Sequence, residues 1–147
     1  MNESQRLYRS QAERRHNRSL KAKRIATRGE QLAAQHLQEK SYEVVARNYR
    51  AGRAGEIDIV VVDNAGIVIF VEVKTRTTDG PVFGIPELGF EAVGYRKQRR
   101  ILIASQKFMA QPEFASRRWR YDVIVIGIPR DESRGEIEIT HVENAFD

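Results

Sequence analysis

A first helix is predicted over residues 28–40, where apolar positions recur at helical intervals. The apolar residues that define its buried side are Leu32, Ala33, Ala34 and Leu37. Thr27 precedes this stretch and Glu30 follows three residues later, which is capping-box spacing. Thr27 is therefore the expected N-cap of this helix.

A second helix is predicted over residues 96–109, again from the spacing of its apolar residues. Its expected buried side consists of Ile101, Leu102, Ala104, Phe108 and Met109. Four basic residues of the same stretch are left on an exposed flank: Arg96, Arg99, Arg100 and Lys107.

Five runs rich in β-branched and aromatic residues predict strands. They span residues 42–49, 56–62, 67–74, 121–128 and 136–142. The second and third runs are apolar on both faces, as is typical of central strands covered from two sides. Residues 75–94 are rich in glycine and proline and predict a long loop. The order α-β-β-β-α-β-β predicts an α/β fold, a mixed sheet with helices packed on its faces.

The turn between the second and third strands decides which side chains share a face. If Asp63 and Ile67 close a three-residue loop, with Gly66 in the left-handed conformation, Asp58 lies opposite Glu72. A four-residue loop would shift the register by one residue and place the two carboxylates on opposite faces. Gly66 favours the first arrangement.

The composition narrows the class of protein. The chain has 147 residues, no Cys, and 25 Lys and Arg against 20 Asp and Glu, a net charge of +5. Without Cys there are no disulfides, thiol nucleophiles or Cys-ligated metals. No apolar run approaches the length of a membrane span, and the N-terminus is charged where a secretory signal would be apolar. We expect a cytoplasmic protein with no membrane contact.

The positive charge is concentrated at the N-terminus. Residues 1–28 contain nine basic and two acidic residues, a net charge of +7, so the rest of the chain is nearly neutral. Residues 1–24 lack a sustained apolar stripe and are expected to form a flexible or conditionally helical arm. Residues 25–147 are expected to form a single domain.

Two acidic residues inside apolar strands suggest a cation site. Adjacent carboxylates such as Asp58 and Glu72 repel each other, and burial adds a desolvation cost. Carboxylate oxygens suit Mg²⁺ or Mn²⁺, which fill their remaining positions with water and substrate phosphate. Lys74 projects to the same side as Glu72 and could orient or deprotonate a water, or neutralise charge on phosphorus. The alternative is that Glu72 and Lys74 are surface residues and that a cross-strand cation balances Asp58.

Several segments together resemble the YraN-type uncharacterised bacterial proteins, from about residue 28 to the C-terminus. The matching segments are residues 29–30, 47–50, 55–60, 70–76, 97–101, 120–122 and 141–146. That family is similar to the PD-(D/E)XK nucleases, particularly archaeal Holliday junction resolvases, and its members largely lack a demonstrated activity. The resemblance implies a restriction-endonuclease-like fold for residues 25–147.

The resemblance also implies roles for individual residues. It places the metal-binding acids at Asp58 and Glu72, with the Val73 carbonyl as a further ligand. Lys74 becomes the catalytic lysine and Glu30 an auxiliary acid, although Glu30 also has the capping-box interpretation. Ile57 stands where the superfamily name has proline. Related resolvases act as dimers, so a homodimer is implied as well.

Clusters of basic residues are candidates for phosphate contact. The first set, at the start of the second helix and just after Lys74, contains Arg96, Lys97, Arg99, Arg100 and Arg76. A second set, Arg117, Arg118 and Arg120, surrounds Trp119. Trp119 could stack on a base or anchor a loop against the core. The alternative for both sets is a solvated surface.

The sequence therefore predicts a Mg²⁺- or Mn²⁺-dependent endonuclease that hydrolyses DNA, including branched DNA. The alternative is a nucleic-acid-binding module that keeps the nuclease fold with little or no cleavage. A third possibility is a protein-interaction subunit whose basic arm binds an acidic partner.

Overall fold

A computed structural model of the chain describes residues 1–79 and 93–146. The helices are α1, Glu3–Glu39, and α2, Tyr95–Met109. The strands are β1, Glu43–Ala51; β2, Gly55–Val62; β3, Val68–Thr78; β4, Trp119–Pro129; and β5, Glu138–Phe146. A short 3-10 turn, Glu132–Arg134, precedes β5. The predicted order of helices and strands is confirmed.

The five strands form one mixed sheet in the order β1-β2-β3-β4-β5. Only β3 and β4 run parallel, and the other three neighbouring pairs are antiparallel. One face buries Val60, Phe70 and Val123 against α2. The opposite face buries Ile59, Val71 and other side chains against the C-terminal half of α1. The α/β class is confirmed, with a helix on each face of the sheet.

Helix α1 begins 25 residues earlier than expected. It starts at Glu3, and the side chain of its N-cap, Asn2, accepts a hydrogen bond from the backbone N–H of Gln5. The prediction that the helix begins near residue 28 with Thr27 as N-cap is wrong, because Thr27 lies inside the helix. Of the two states considered for residues 1–24, the helical one is present.

The β2–β3 hairpin has the predicted register. The Asp63 N–H donates to the Ile67 carbonyl at 3.0 Å, and Gly66 has φ 81°. The loop is thus the three-residue one, and Val62 pairs with Val68.

Strand β3 extends further than predicted. It runs to Thr78, which pairs with Pro129 of β4, so residues 75–78 are strand and not loop. The side chains of residues 75–78 are polar, but the parallel ladder with β4 pairs their backbone groups and keeps them in the strand. The rest of the predicted loop, residues 80–92, lies outside the described residues.

A buried polar network joins the start of β4 to β5. Asp122 is fully buried and accepts hydrogen bonds from Arg120, His141 Nε2 and the Asn144 N–H, at 2.8 to 3.2 Å. Burial opposes the charged form, but hydrogen bonds from His141 and Arg120 outweigh it and hold the pKa of Asp122 below its usual range. Asp122 thus pairs with both Arg120 and a backbone amide, and His141 has a structural role in holding it.

Candidate metal centre

Asp58 and Glu72 lie side by side where β2 and β3 begin to separate. Counting away from the turn, Ile59 and Val71 are the last paired residues of the two strands. Asp58 and Glu72 are the next residue on each strand. Beyond the last pair, the Asp58 carboxylate replaces a backbone acceptor, because Asp58 Oδ2 accepts from the Val73 N–H at 2.9 Å. The exposed fractions of Asp58 and Glu72 are only 6% and 4%. The prediction that both carboxyls share a face agrees with the strand register and with the effect of the Asp58 charge on the pKa of Glu72.

The two oxygens of Glu72 have different surroundings. Oε1 lies 3.7 Å from Lys74 Nζ and 3.7 Å from Lys97 Nζ, so two ammonium groups flank it. Oε2 is buried and has no hydrogen-bond partner among residues 1–79 and 93–146. A buried carboxylate oxygen without a donor is costly, and a bound cation would remove that cost.

The electrostatics of the pair favour one retained proton. Burial, followed by the charge of Asp58, raises the pKa of Glu72 to about 8, although Lys97 and Lys74 act in the opposite direction. Two adjacent carboxyls in a weakly solvated site cannot both ionise easily. Without a cation the pair therefore holds a proton near neutral pH.

Glu30 approaches the pair from α1. Burial and the charge of Asp58 raise the pKa of Glu30, and a hydrogen bond from the Asn48 side chain partly offsets them. Because the helix begins at Glu3, the capping-box interpretation of Glu30 is wrong. Glu30 is left as an acid within electrostatic range of Asp58.

The donor set fits a hard divalent cation with few protein ligands. Asp58 and Glu72 supply carboxylate oxygens, which Mg²⁺ and Mn²⁺ prefer. Within the described part of the chain, no three His, Asp or Glu side chains are close enough together to hold a metal ion. A cation here would therefore be held by the carboxylate pair, with the Val73 carbonyl as the further ligand implied by the resemblance, and would keep several waters.

Two close backbone approaches bring the helices to this site. A Cβ atom on Gly29 of α1 would lie 1.8 Å from the Thr75 Oγ1 of β3. A Cβ atom on Gly55 of β2 would lie 2.8 Å from the Ala104 N of α2. Gly29 is adjacent to Glu30, and α2 carries Lys97. The two glycines therefore let both helices lie close enough to place a charged side chain beside the carboxylates.

The basic residues proposed for phosphate contact divide into two groups. Arg96, Arg99 and Arg76 are exposed. Arg100 is paired with Glu56 at 3.1 Å, and Lys97 is turned towards Glu72. The first three remain available to a ligand at the surface, whereas Lys97 belongs to the site itself.

Sequence reasoning missed the contacts that depend on the packing of the helices. Lys97 was expected to contact phosphate, but its ammonium lies 3.7 Å from Glu72 Oε1. Asn48, which contacts Glu30, has a left-handed backbone with φ 48°. Asn tolerates this conformation better than most residues, so the presence of Asn at position 48 is the only local clue in the sequence to the left-handed backbone there.

Trp119 lies away from the carboxylate pair, beyond the opposite end of α2. Its exposed fraction is 53%, and it borders a cavity of about 490 Å³ together with Leu102, Met109 and Tyr121. Both interpretations of Trp119, base stacking and anchoring of a loop against the core, stay predictions.

No helix within residues 1–79 and 93–146 combines the length and apolar character needed to cross a membrane.

Comparisons with known proteins identify relatives over most of the chain. The model of the family described as "Uncharacterised protein family UPF0102" matches residues 29–126. A UPF0102 protein of Desulforamulus reducens is 37% identical over 129 residues, covering 87% of this chain and 99% of that protein. A UPF0102 protein of Alkaliphilus oremlandii is 41% identical over 126 residues, covering 84% and 98%. One from Geobacter sulfurreducens is 40% identical over 123 residues, covering 84% and 88%.

Proposed function

The chain belongs to the UPF0102 family, and we propose that it is a metal-dependent endonuclease that hydrolyses DNA phosphodiesters, including those of branched DNA. The observation that carries this proposal is the buried Asp58–Glu72 pair, in which Glu72 Oε2 has no hydrogen-bond partner among the described residues. A core strand rarely retains two adjacent acids and an unsatisfied oxygen unless they bind something.

Asp58 and Glu72 are the residues that would hold the cation. When bound, Mg²⁺ or Mn²⁺ polarises a phosphoryl oxygen and lowers the pKa of a coordinated water. The hydrogen bond from the Val73 N–H to Oδ2 holds the Asp58 carboxylate in place before a cation binds. Glu30 adds negative charge at the edge of the pair and can accept a hydrogen bond from a nearby water.

Lys74 is positioned to act on the water and the phosphate. Its side chain is 30% exposed, so the ammonium lies at the mouth of the site while remaining 3.7 Å from Glu72 Oε1. In the reaction a water oxygen attacks phosphorus and releases a proton to solvent, the opposite P–O bond breaks, and the leaving oxygen takes up a proton from solvent. Lys74 orients the attacking water and neutralises negative charge that develops on the phosphoryl oxygens. Lys97 lies on the other side of Glu72 and balances its charge.

The exposed arginines next to the site would bind the flanking phosphates. Arg76 follows Lys74 on β3, and Arg96 and Arg99 lie in the first turns of α2. Contacts of this kind fix the position of a nucleic acid strand without reading its sequence.

A second candidate function is a nucleic-acid-binding module with little cleavage. The specific observation in its favour is that Asp58 and Glu72 are not joined by a third close acid or histidine within the described ranges. A weakly held cation gives slow turnover, whereas the exposed arginines would bind phosphate regardless of the metal.

One assay separates the two functions. The full chain is incubated with linear, flapped and four-way-junction DNA in Mg²⁺, in Mn²⁺ and in EDTA, next to Lys74→Ala and the matched surface variant Lys107→Ala. Cleavage that requires the cation and falls by about 10²-fold or more in Lys74→Ala, but not in Lys107→Ala, supports the endonuclease. Salt-sensitive binding without products in any sample supports the binding module.

The location and assembly that we propose follow from the substrate. The proposed location is the cytoplasm, where chromosomal DNA is available as substrate, and the resolvase resemblance favours a homodimer that acts on two strands. Light scattering of the purified chain, with and without junction DNA, measures the assembly directly.

A further inference from the structure

The N-terminal part of α1 is an exposed basic helix. We call residues 1–24 the basic arm; they contain eight basic and two acidic residues. All of its residues are exposed except Ser10, which is partly buried and bonds to the carbonyl of Leu7 within the helix. At a rise of 1.5 Å per residue, the helical part of the arm is about 33 Å long.

The cations of the basic arm are mostly unpaired and are distributed around the helix. Arg9 pairs with Glu13. The other seven make no ion pair with the described residues: Arg6, Arg14, Arg15, Arg18, Lys21, Lys23 and Arg24. At 3.6 residues per turn, these seven are spread over most of the helix circumference. Unpaired like charges on one helix repel one another, so the arm is suited to an anionic partner.

The basic arm leaves the body of the protein next to the candidate site. Ala22 and Ile25, at its junction with the body, border a small cavity together with Glu30 of α1 and Val73 and Thr75 of β3. These β3 residues flank Lys74. A long polyanion bound at the carboxylate pair would therefore pass the base of the arm.

The distribution of apolar side chains argues against a lipid surface. A membrane-binding helix needs one continuous apolar face. The large exposed apolar residues of the arm after Met1 are Leu7, Tyr8 and Leu20, which point in three different directions at helical spacing. Hence the arm has no continuous apolar face.

We propose that the basic arm binds duplex DNA by lying along its major groove, next to the site at Asp58 and Glu72. An α-helix with its side chains is about 10–12 Å across, which matches the roughly 12 Å width of the B-DNA major groove. Cations spread around most of the circumference can reach the phosphates of both groove walls. Binding of the arm to a duplex does not require that the duplex be cleaved. The inference rests on the proposed function only in placing the duplex next to the candidate site.

The test compares two full-length triple variants that remove the same charge from different places. The arm variant is Arg14→Gln, Arg18→Gln and Lys21→Gln. The control is Arg53→Gln, Lys107→Gln and Arg130→Gln, three exposed cations to which no role in binding is assigned. Fluorescence anisotropy with a labelled 30-base-pair duplex is measured across a KCl series. Circular dichroism checks that the helix content is unchanged.

The arm variant is expected to bind about 10- to 100-fold more weakly at 0.1 M salt, and the slope of log K against log salt to become shallower by about 2 to 3. The control is expected to change both quantities much less. Equal losses in the two variants, or no loss in the arm variant, would overturn the inference. So would arm-dependent binding to phosphatidylglycerol vesicles as tight as binding to the duplex.

The result is separable from the proposed function. Arm-dependent DNA binding without cleavage by the wild-type chain keeps the inference and removes the endonuclease. Cation-dependent cleavage with arm-independent binding does the reverse.

Discussion

Replacing Glu72 by glutamine tests the electrostatics of the carboxylate pair without requiring any catalytic activity. The folded chain raises the pKa of Glu72 to about 8, mainly through burial and the charge of Asp58. The unfolded chain releases this proton near the ordinary value of 4.5. Between these two pH values the folded state binds more protons than the unfolded state, so metal-free wild-type protein loses stability as pH rises.

The size of the effect follows from the width of this pH range. Each pH unit across which only the folded state keeps the proton lowers the free energy of unfolding by about 1.4 kcal/mol. From pH 5 to pH 8 the contribution of the pair is therefore expected to fall by roughly 3 to 4 kcal/mol. Glu72→Gln cannot ionise at position 72 and should lose little over the same range.

The measurement is urea denaturation in EDTA at several pH values for wild type, Glu72→Gln and the control Glu56→Gln. Glu56 lies on β2 beside the site but pairs with Arg100 near the surface. The stability of Glu72→Gln relative to wild type should rise with pH, whereas Glu56→Gln should follow wild type. Parallel profiles for wild type and Glu72→Gln, within about 0.5 kcal/mol, would refute the reasoning.

Three further predictions concern the cation, the helix contact and the polar network. Adding Mg²⁺ at pH 8 should raise the melting temperature of wild type but not of Asp58→Asn, since a ligand stabilises only the state that binds it; equal shifts would argue against a site at this pair. Gly29→Ala should lower the free energy of unfolding by about 2 kcal/mol, despite the better helix propensity of Ala, because its methyl group clashes with Thr75. Adding Thr75→Ala to the same chain should recover much of this loss, as measured by urea denaturation. Asp122→Asn should lower the free energy of unfolding by about 3 kcal/mol at pH 7. This difference from wild type should shrink as the pH falls below 3.8, because the stability that comes from the lowered pKa of Asp122 is lost when Asp122 is protonated. A constant difference in unfolding free energy between pH 7 and pH 3 would contradict this last expectation.

The parts of the fold set by local chemistry were predictable from the sequence. Gly66 fixes the turn, the turn fixes the β2–β3 register, and the register places Asp58 and Glu72 on one face. Alternating and continuous apolar runs located all five strands, because burial of side chains selects those patterns.

The start of α1 was not predictable by the same means. Hydrophobic periodicity reports the face that a helix buries, and residues 1–24 bury almost nothing. Their helix rests on intrinsic propensity and on continuity with the packed turns after Ile25. The Lys97–Glu72 contact was also hidden, because it depends on how α2 crosses the sheet.

The charge balance of the site depends on the absence of a side chain at Gly29 and Gly55. Each glycine allows a helix to approach the sheet more closely than a methyl group would permit. A larger residue at Gly29 would move Glu30 away from Asp58, and one at Gly55 would move Lys97 away from Glu72. The ionisation of the carboxylate pair can therefore be altered by steric substitutions that neither add nor remove a charge.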